Sequence, residues 1–72
     1  YDVDAPPLSR REMDVMRWLA GGKSNSVIAE ILGIRKSSVD VYVKRIFAKL
    51  GVRDRTTASV RALALGLVVD GD

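Results

Sequence analysis

Apolar residues recur along this chain at helical spacing. The longest stripe is Val39, Val43, Ile46, Phe47 and Leu50, at i, i+4, i+7, i+8 and i+11, so the five share one side of a helix. The period predicts a helix from near Lys36 to about Leu50, ended by Gly51, which suits the left-handed turn that follows a helix. At about 100° per residue, Ser37, Asp40, Val41, Lys44, Arg45 and Ala48 fall on the opposite face. That face is small, cationic and hydrogen-bonding, with a lone Val.

Shorter periodic stretches flank this helix. In Leu8-Ser9-Arg10-Arg11-Glu12, Ser9 can cap a first helix, and Glu12, three residues on, completes a capping box. This helix runs to about Ala20, stops at Gly21-Gly22, turns Val15, Met16, Leu19 and Ala20 inward, and leaves Trp18 at the edge of the buried arc. Ser24 caps a second helix, about Asn25 to Leu32, which buries Ile28, Ile31 and Leu32 and has the small Ala29 where helices approach. Gly33 supplies a tight turn and Ile34 plugs the core. Two helices joined by so short a turn predict a helix-turn-helix. The loop Val52-Arg53-Asp54-Arg55 leads to Thr56 or Thr57 as cap of a fourth helix, roughly Thr57 to Leu65, closed by Gly66-Leu67. Ala58, Ala62, Leu63 and Leu65 exceed what an edge helix must bury, which points to Ala58, Ala62 and Leu65 as a dimer interface.

The expected fold class is all-α, a four-helix helix-turn-helix domain over residues 8–68. Residues 1–7 end in Pro6-Pro7, resist helix and read as the end of a linker from another domain upstream; residues 69–72 read as a fraying tail.

Composition narrows the chemistry. A chain of 72 residues, 47% hydrophobic, suffices for one small domain of modest stability. It has neither Cys nor His, so it lacks a disulfide framework, a Cys or His metal site, a thiol nucleophile and the commonest general base. No apolar run approaches a bilayer span, no signal peptide is apparent, and no Gly-rich loop cradles phosphate. An enzyme, a metal site, a bound cofactor and a membrane partner are therefore not expected, and a cytoplasmic location is.

The net charge is only +3, but it is unevenly placed: Arg35, Lys36, Lys44, Arg45, Lys49, Arg53 and Arg55 stand against Asp40 and Asp54 within residues 35–55. Positive charge gathered on one helix and its exit loop suits a polyanion, although a merely well-solvated helix has the same composition. In the first helix Glu12 falls inside the buried arc. It is either a catalytic acid or, in the structural reading, a cap in an ion pair with a base from the later loop, Arg55 first, because an unpaired buried carboxylate is costly.

Leu8-Ser9-Arg10-Arg11-Glu12, Gly22-Lys23-Ser24-Asn25, Ile28-Ala29, Leu32-Gly33-Ile34, Val39, Lys49-Leu50-Gly51-Val52, Arg55-Thr56 and Ala64-Leu65-Gly66-Leu67 together resemble the LuxR/FixJ (GerE) type helix-turn-helix domain over nearly the whole chain. The resemblance implies a DNA-binding domain at the C-terminus of a bacterial transcription factor, with the third helix as recognition helix and the fourth building a homodimer on DNA. It also implies an upstream sensory domain and makes RNA polymerase a candidate partner. Trp18, Gly22-Lys23 and Ala62 to Leu67 lie nearer the autoinducer-receptor branch, hence quorum sensing.

The family's base-reading positions fall on Asp40, Val41 and Lys44, and its phosphate-contacting positions on Ser24, Asn25, Ser38, Tyr42, Lys49 and Thr56. Arg35 replaces the small hydroxyl that usually caps the third helix, leaving Ser37 or nothing as cap; Asp40 replaces a frequent Lys, and Tyr42 a usual His. The residue chemistry agrees with a groove-reading face. Lys44 can donate to guanine, Asp40 can accept from cytosine, and Val41 can touch a thymine methyl. Alternatively, Asp40 holds Lys44 in an i,i+4 pair, and Val41 is an ordinary exposed apolar residue. Arg35, Lys36, Arg45, Lys49, Arg53 and the Ser24-Asn25 cap can line phosphates. The rival function is a helix-turn-helix used for protein–protein docking, for which the basic face is dispensable.

Overall fold

The computed structural model describes residues 8–68; the expected linker and fraying tail lie outside the described residues. Four helices follow in order: α1 (Arg10–Ala20), α2 (Asn25–Leu32), α3 (Lys36–Leu50) and α4 (Arg55–Ala64). Most of their ends have a local cause. Ser9 Oγ accepts from the Glu12 amide at 3.3 Å and Glu12 Oε1 accepts from the Ser9 amide at 2.8 Å, so two free donors of α1 are satisfied reciprocally. Ser24 caps α2 by accepting from the Val27 amide. Arg35 makes no side-chain cap, and Ser37 does not replace it, so the first turn of α3 carries no side-chain cap hydrogen bond.

α2 and α3 both close on a glycine in the left-handed region. Gly33, at φ 67°, lets its own amide reach the Glu30 carbonyl and the Ile34 amide reach that of Ala29. Gly51, at φ 68°, does the same with the carbonyls of Ala48 and Phe47. These paired bonds satisfy the last carbonyls of a helix while redirecting the chain. The Gly33 turn makes α2 and α3 a helix-turn-helix.

The fourth helix departs from expectation. It begins at Arg55 under Asp54, whose Oδ1 accepts from the Thr57 amide at 2.8 Å and whose Oδ2 accepts from the Thr57 hydroxyl at 3.0 Å. A carboxylate facing the positive end of a helix is a better cap than the Thr56 or Thr57 hydroxyl.

The core consists of Val15, Met16 and Leu19 from α1, Ile28 and Ala29 from α2, Val39, Val43, Ile46 and Leu50 from α3, and Ala58 and Ala62 from α4, closed by Leu8 and Val52. Ala58 and Ala62 of α4 are fully buried. Without larger side chains in the way, α4 can lie close against α1 and α3, and so Ala58 and Ala62 are core residues and not a dimer surface. Leu65, Val60 and Leu63 remain exposed. Ile31 is also exposed and Leu32 only partly covered, because α2 is an outer helix that buries only Ile28 and Ala29 fully; Ala20 on α1 and Phe47 on α3 are partly covered as well.

Candidate nucleic-acid interface

The outer face of α3 follows from its inner one. With Val39, Val43, Ile46 and Leu50 in the core, helical geometry turns Ser37, Val41, Lys44, Arg45 and Ala48 outward, and all five are exposed. Val41 is 47% exposed. Ser37, Ser38, Val41, Tyr42 and Arg45 line a shallow open groove along the helix. Ser38 and Tyr42 are half-buried on its flank, and Tyr42 packs partly on the core. This side-by-side array of an ammonium, a guanidinium, hydroxyls and a methyl-bearing side chain can donate, accept and make apolar contact with base edges.

The hydrogen bonds on either flank redistribute several expected roles. Asp40 does not hold Lys44. Its Oδ2 pairs with Lys36 Nζ at 3.1 Å, one turn earlier, and its Oδ1 accepts from Asn25 Nδ2 at 2.8 Å. The Asn25 hydrogen bond foremost, then that from Lys36, keeps the Asp40 carboxyl below its ordinary range. Asn25, expected at a phosphate, has its amide oxygen taken as well: Arg55 Nη1 donates to it at 2.7 Å, while Arg55 Nη2 donates to the Lys23 carbonyl. A guanidinium on α4 therefore fixes which way the Asn25 amide faces, and hence which group meets Asp40.

Glu12 is buried as expected, but its partner is Lys49 and not Arg55: Lys49 Nζ donates to Glu12 Oε1 at 2.7 Å. The last turn of α3 crosses the start of α1, so Lys49 arrives there first, and Arg55 is occupied at the start of α2. Glu12 is 3% exposed in its side chain and Lys49 41%. Burial raises the Glu12 pKa, but hydrogen bonds from Lys49 and Ser9 and the Lys49 charge together prevail, so the carboxyl sits below its ordinary value and stays ionised. Lys49 thus serves as counter-ion to a buried group at the edge of the basic face.

Arg35, Lys44, Arg45 and Arg53 are exposed and form no ion pair with any described carboxylate. Within residues 35–55 they are the cations left for an external anion, Lys36 and Lys49 being paired and Arg55 hydrogen-bonded within the fold. Ser24 is exposed as the N-cap of α2. Some of these partnerships had a signal in the sequence. Lys36 lies four residues before Asp40, and Asp54 three before Thr57. The Asn25 and Arg55 contacts, 15 and 30 residues apart, had none. Among the described residues no group of acidic side chains could hold a metal ion, and no helix is long and apolar enough to cross a membrane.

The chain matches the family model of the bacterial regulatory proteins of the luxR family over residues 6–62. It is 43% identical over 61 residues to the HTH-type quorum sensing-dependent transcriptional regulator VjbR of Brucella abortus, which covers 85% of this chain and 24% of VjbR. It is also 43% identical over 61 residues to the HTH-type quorum-sensing regulator RhlR of Pseudomonas aeruginosa, covering 85% of this chain and 25% of RhlR. The chain therefore spans about a quarter of the length of these relatives. The solved structure of the transcription factor GerE superimposes with a TM-score of 0.83 at 28% identity, covering 90% of this chain and 97% of that one.

Proposed function

This chain belongs to the luxR family of bacterial regulatory proteins, and from that premise we propose that it binds double-stranded DNA sequence-specifically as the effector domain of a bacterial transcription regulator, with α3 in the major groove. The observation that carries the reading is the division of α3 into a buried apolar stripe and an exposed face bearing Ser37, Val41, Lys44 and Arg45. Lys44 and Val41 read bases, Lys44 donating to guanine O6 and N7 and Val41 touching a thymine methyl. Arg35, Arg45 and Arg53 meet phosphates, with Ser24, Ser38 and the Tyr42 hydroxyl as neutral donors. Three phosphate-facing arginines per copy give a log–log salt slope of about −2.7.

A two-fold dimer on a pseudo-palindromic site is the working form, and exposed Val60, Leu63 and Leu65 at α4 are its contact. Three apolar side chains fall well short of the roughly 1,200 Å² of a stable interface. The dimer therefore forms on DNA, where the effective concentration of the second copy is high. The relatives are named as quorum-sensing regulators, and the chain matches only about a quarter of their length, which supports a sensory domain upstream in the parent protein. A cytoplasmic location and contact with RNA polymerase follow from the same role.

Selection from random duplexes tests this. The wild-type chain should return a motif with two related half-sites, and Lys44→Ala should lose preference at one position per half-site. The same motif from Lys44→Ala removes Lys44 from base readout. Equal binding of all duplexes with no salt dependence between about 50 and about 200 mM favours protein docking instead.

A further inference from the structure

Four side chains from three helices form one connected chain of hydrogen bonds beside the reading face. Arg55 at the start of α4 donates to Asn25 Oδ1 at 2.7 Å. Asn25 at the start of α2 donates to Asp40 Oδ1 at 2.8 Å, and Asp40 on α3 receives Lys36 Nζ at 3.1 and 3.3 Å. The order is dictated by chemistry. Arg offers only donors, so it selects the oxygen of the Asn25 amide and turns the nitrogen outward. Asp40 offers only acceptors, so it takes that nitrogen and holds the ammonium with its remaining capacity.

Each member thus sets the orientation of the next, and reversing the Asn25 amide breaks both of its bonds at once. Arg55 is half-buried and anchored a second time on the Lys23 carbonyl, whereas Lys36 and Asp40 are 59% and 45% exposed in their side chains. One end of the chain is fixed in the fold; the other opens onto the first two turns of α3. Residues early in a recognition helix are those closest to base edges.

We infer that Arg55 and Asn25 determine DNA specificity at a distance, by fixing the Asp40 carboxylate and, through it, the Lys36 ammonium as one oriented acceptor–donor pair on the reading face of α3. The inference rests on the DNA-binding reading above. Arg55 and Asn25 are positioning residues and need not touch a base. If Asn25 is free to rotate, Asp40 keeps its charge but loses its direction, and the pair no longer discriminates between bases that differ in groove-edge donors and acceptors. Arg55 sits on the same helix as the proposed dimer contact, so the relay also ties the geometry of α4 to that of the reading edge.

The test compares wild type with Asn25→Ala, Arg55→Ala, Arg55→Lys, Asp40→Ala and the double variant Asn25→Ala/Asp40→Ala, in duplex selection and in competition between selected and scrambled duplexes. Circular dichroism verifies folding of each; Arg55→Lys, which keeps the charge but has a single donor nitrogen in place of two, serves if Arg55→Ala fails to fold. The ratio of specific to non-specific affinity should fall on the order of tenfold in Asn25→Ala, Arg55→Ala and Asp40→Ala, with preference lost at the same base positions. Arg55→Lys should be intermediate, and the double variant no worse than Asp40→Ala alone.

Three results overturn the inference while leaving DNA binding intact: additive losses in the double variant, an unchanged motif in folded Asn25→Ala and Arg55 variants, or a uniform loss on all sequences, which makes Asn25 a phosphate contact. If wild type itself returns no motif, the DNA-binding reading and the relay fall together.

Discussion

The pair between Glu12 and Lys49 is unequally buried, and that inequality fixes the order in which its variants lose stability. Lys49→Met removes the charge-assisted hydrogen bond and leaves a carboxylate that is 3% exposed without its cation. Breaking a fully buried pair costs ~3–5 kcal/mol, but water can reach the 41% exposed Lys49 end, and the Ser9 amide still donates to Glu12. The loss therefore belongs near the lower end for a hydrogen bond to a charged group, about 1.5 kcal/mol. That is about a third to a half of the ~3–5 kcal/mol such a small core supplies. In a domain of this size it lowers Tm by about 6–12 °C.

Glu12→Gln strands the half-exposed ammonium instead, which turns to solvent, while the amide oxygen can still accept from Ser9. Its cost is about half as large. Combining the two substitutions should cost no more than Lys49→Met alone, because no buried charge remains. Thermal and urea melts of the three variants give the order directly. Lys49→Met as stable as wild type, or Glu12→Gln less stable than Lys49→Met, refutes the reasoning. The pH dependence follows with a definite sign. The folded Glu12 pKa lies below the ordinary 4.5, so the pair's contribution is present above that value and is lost as pH falls through the folded one. Glu12→Gln should flatten this part of the acid limb.

Other substitutions probe separate parts of the account. Gly33→Ala places a Cβ where nothing lies within 4 Å but φ is +67°, so the cost is conformational, ~1–2 kcal/mol by denaturant melt, and Gly33→Asn should recover part of it. Asp54→Ala removes the cap of α4 and should lower Tm. The Thr57 amide, foremost, holds the Asp54 carboxyl below its ordinary 3.8, so wild type and variant should converge as pH falls below that range. Lys49→Ala should change the salt slope of DNA binding far less than Arg45→Ala does, since Lys49 already has an internal counter-ion. Sedimentation of the free chain at micromolar concentration should give a monomer, with Val60→Glu weakening only the assembly of two copies on DNA.

The helices and their breaks were legible because their causes are local. Ser9 with Glu12, Ser24, Gly33 and Gly51 act within a few residues, and the Val39 to Leu50 stripe declares its own buried side. The same locality separated the faces of α3 before any packing was known. What escaped was whatever depends on how helices cross. Lys49 reaches Glu12 across 37 residues, and no period distinguishes it from Arg55 as counter-ion. Ala58 and Ala62 read as surplus apolar surface on α4, but a helix with small inward residues can approach so closely that they are wholly enclosed. Asp54 was a local signal outvoted by two adjacent hydroxyls, although a carboxylate three residues before Thr57 is the stronger cap. Asn25 read as a phosphate contact, and only the arrival of Arg55 and Asp40 on its two sides gives it a direction.

When the face of α3 carrying Val41 and Lys44 enters the major groove, Val41 reports on it without the ambiguity of a charge. With the chain isotope-labelled and bound to its selected duplex, filtered nuclear Overhauser spectra should contain cross-peaks from the Val41 methyls to thymine methyls or cytosine H5, protons found on the major-groove edge. Val41 methyls that keep their free-state shifts and have no such cross-peaks, while Trp18 or Val60 acquire contacts to the duplex, would contradict it.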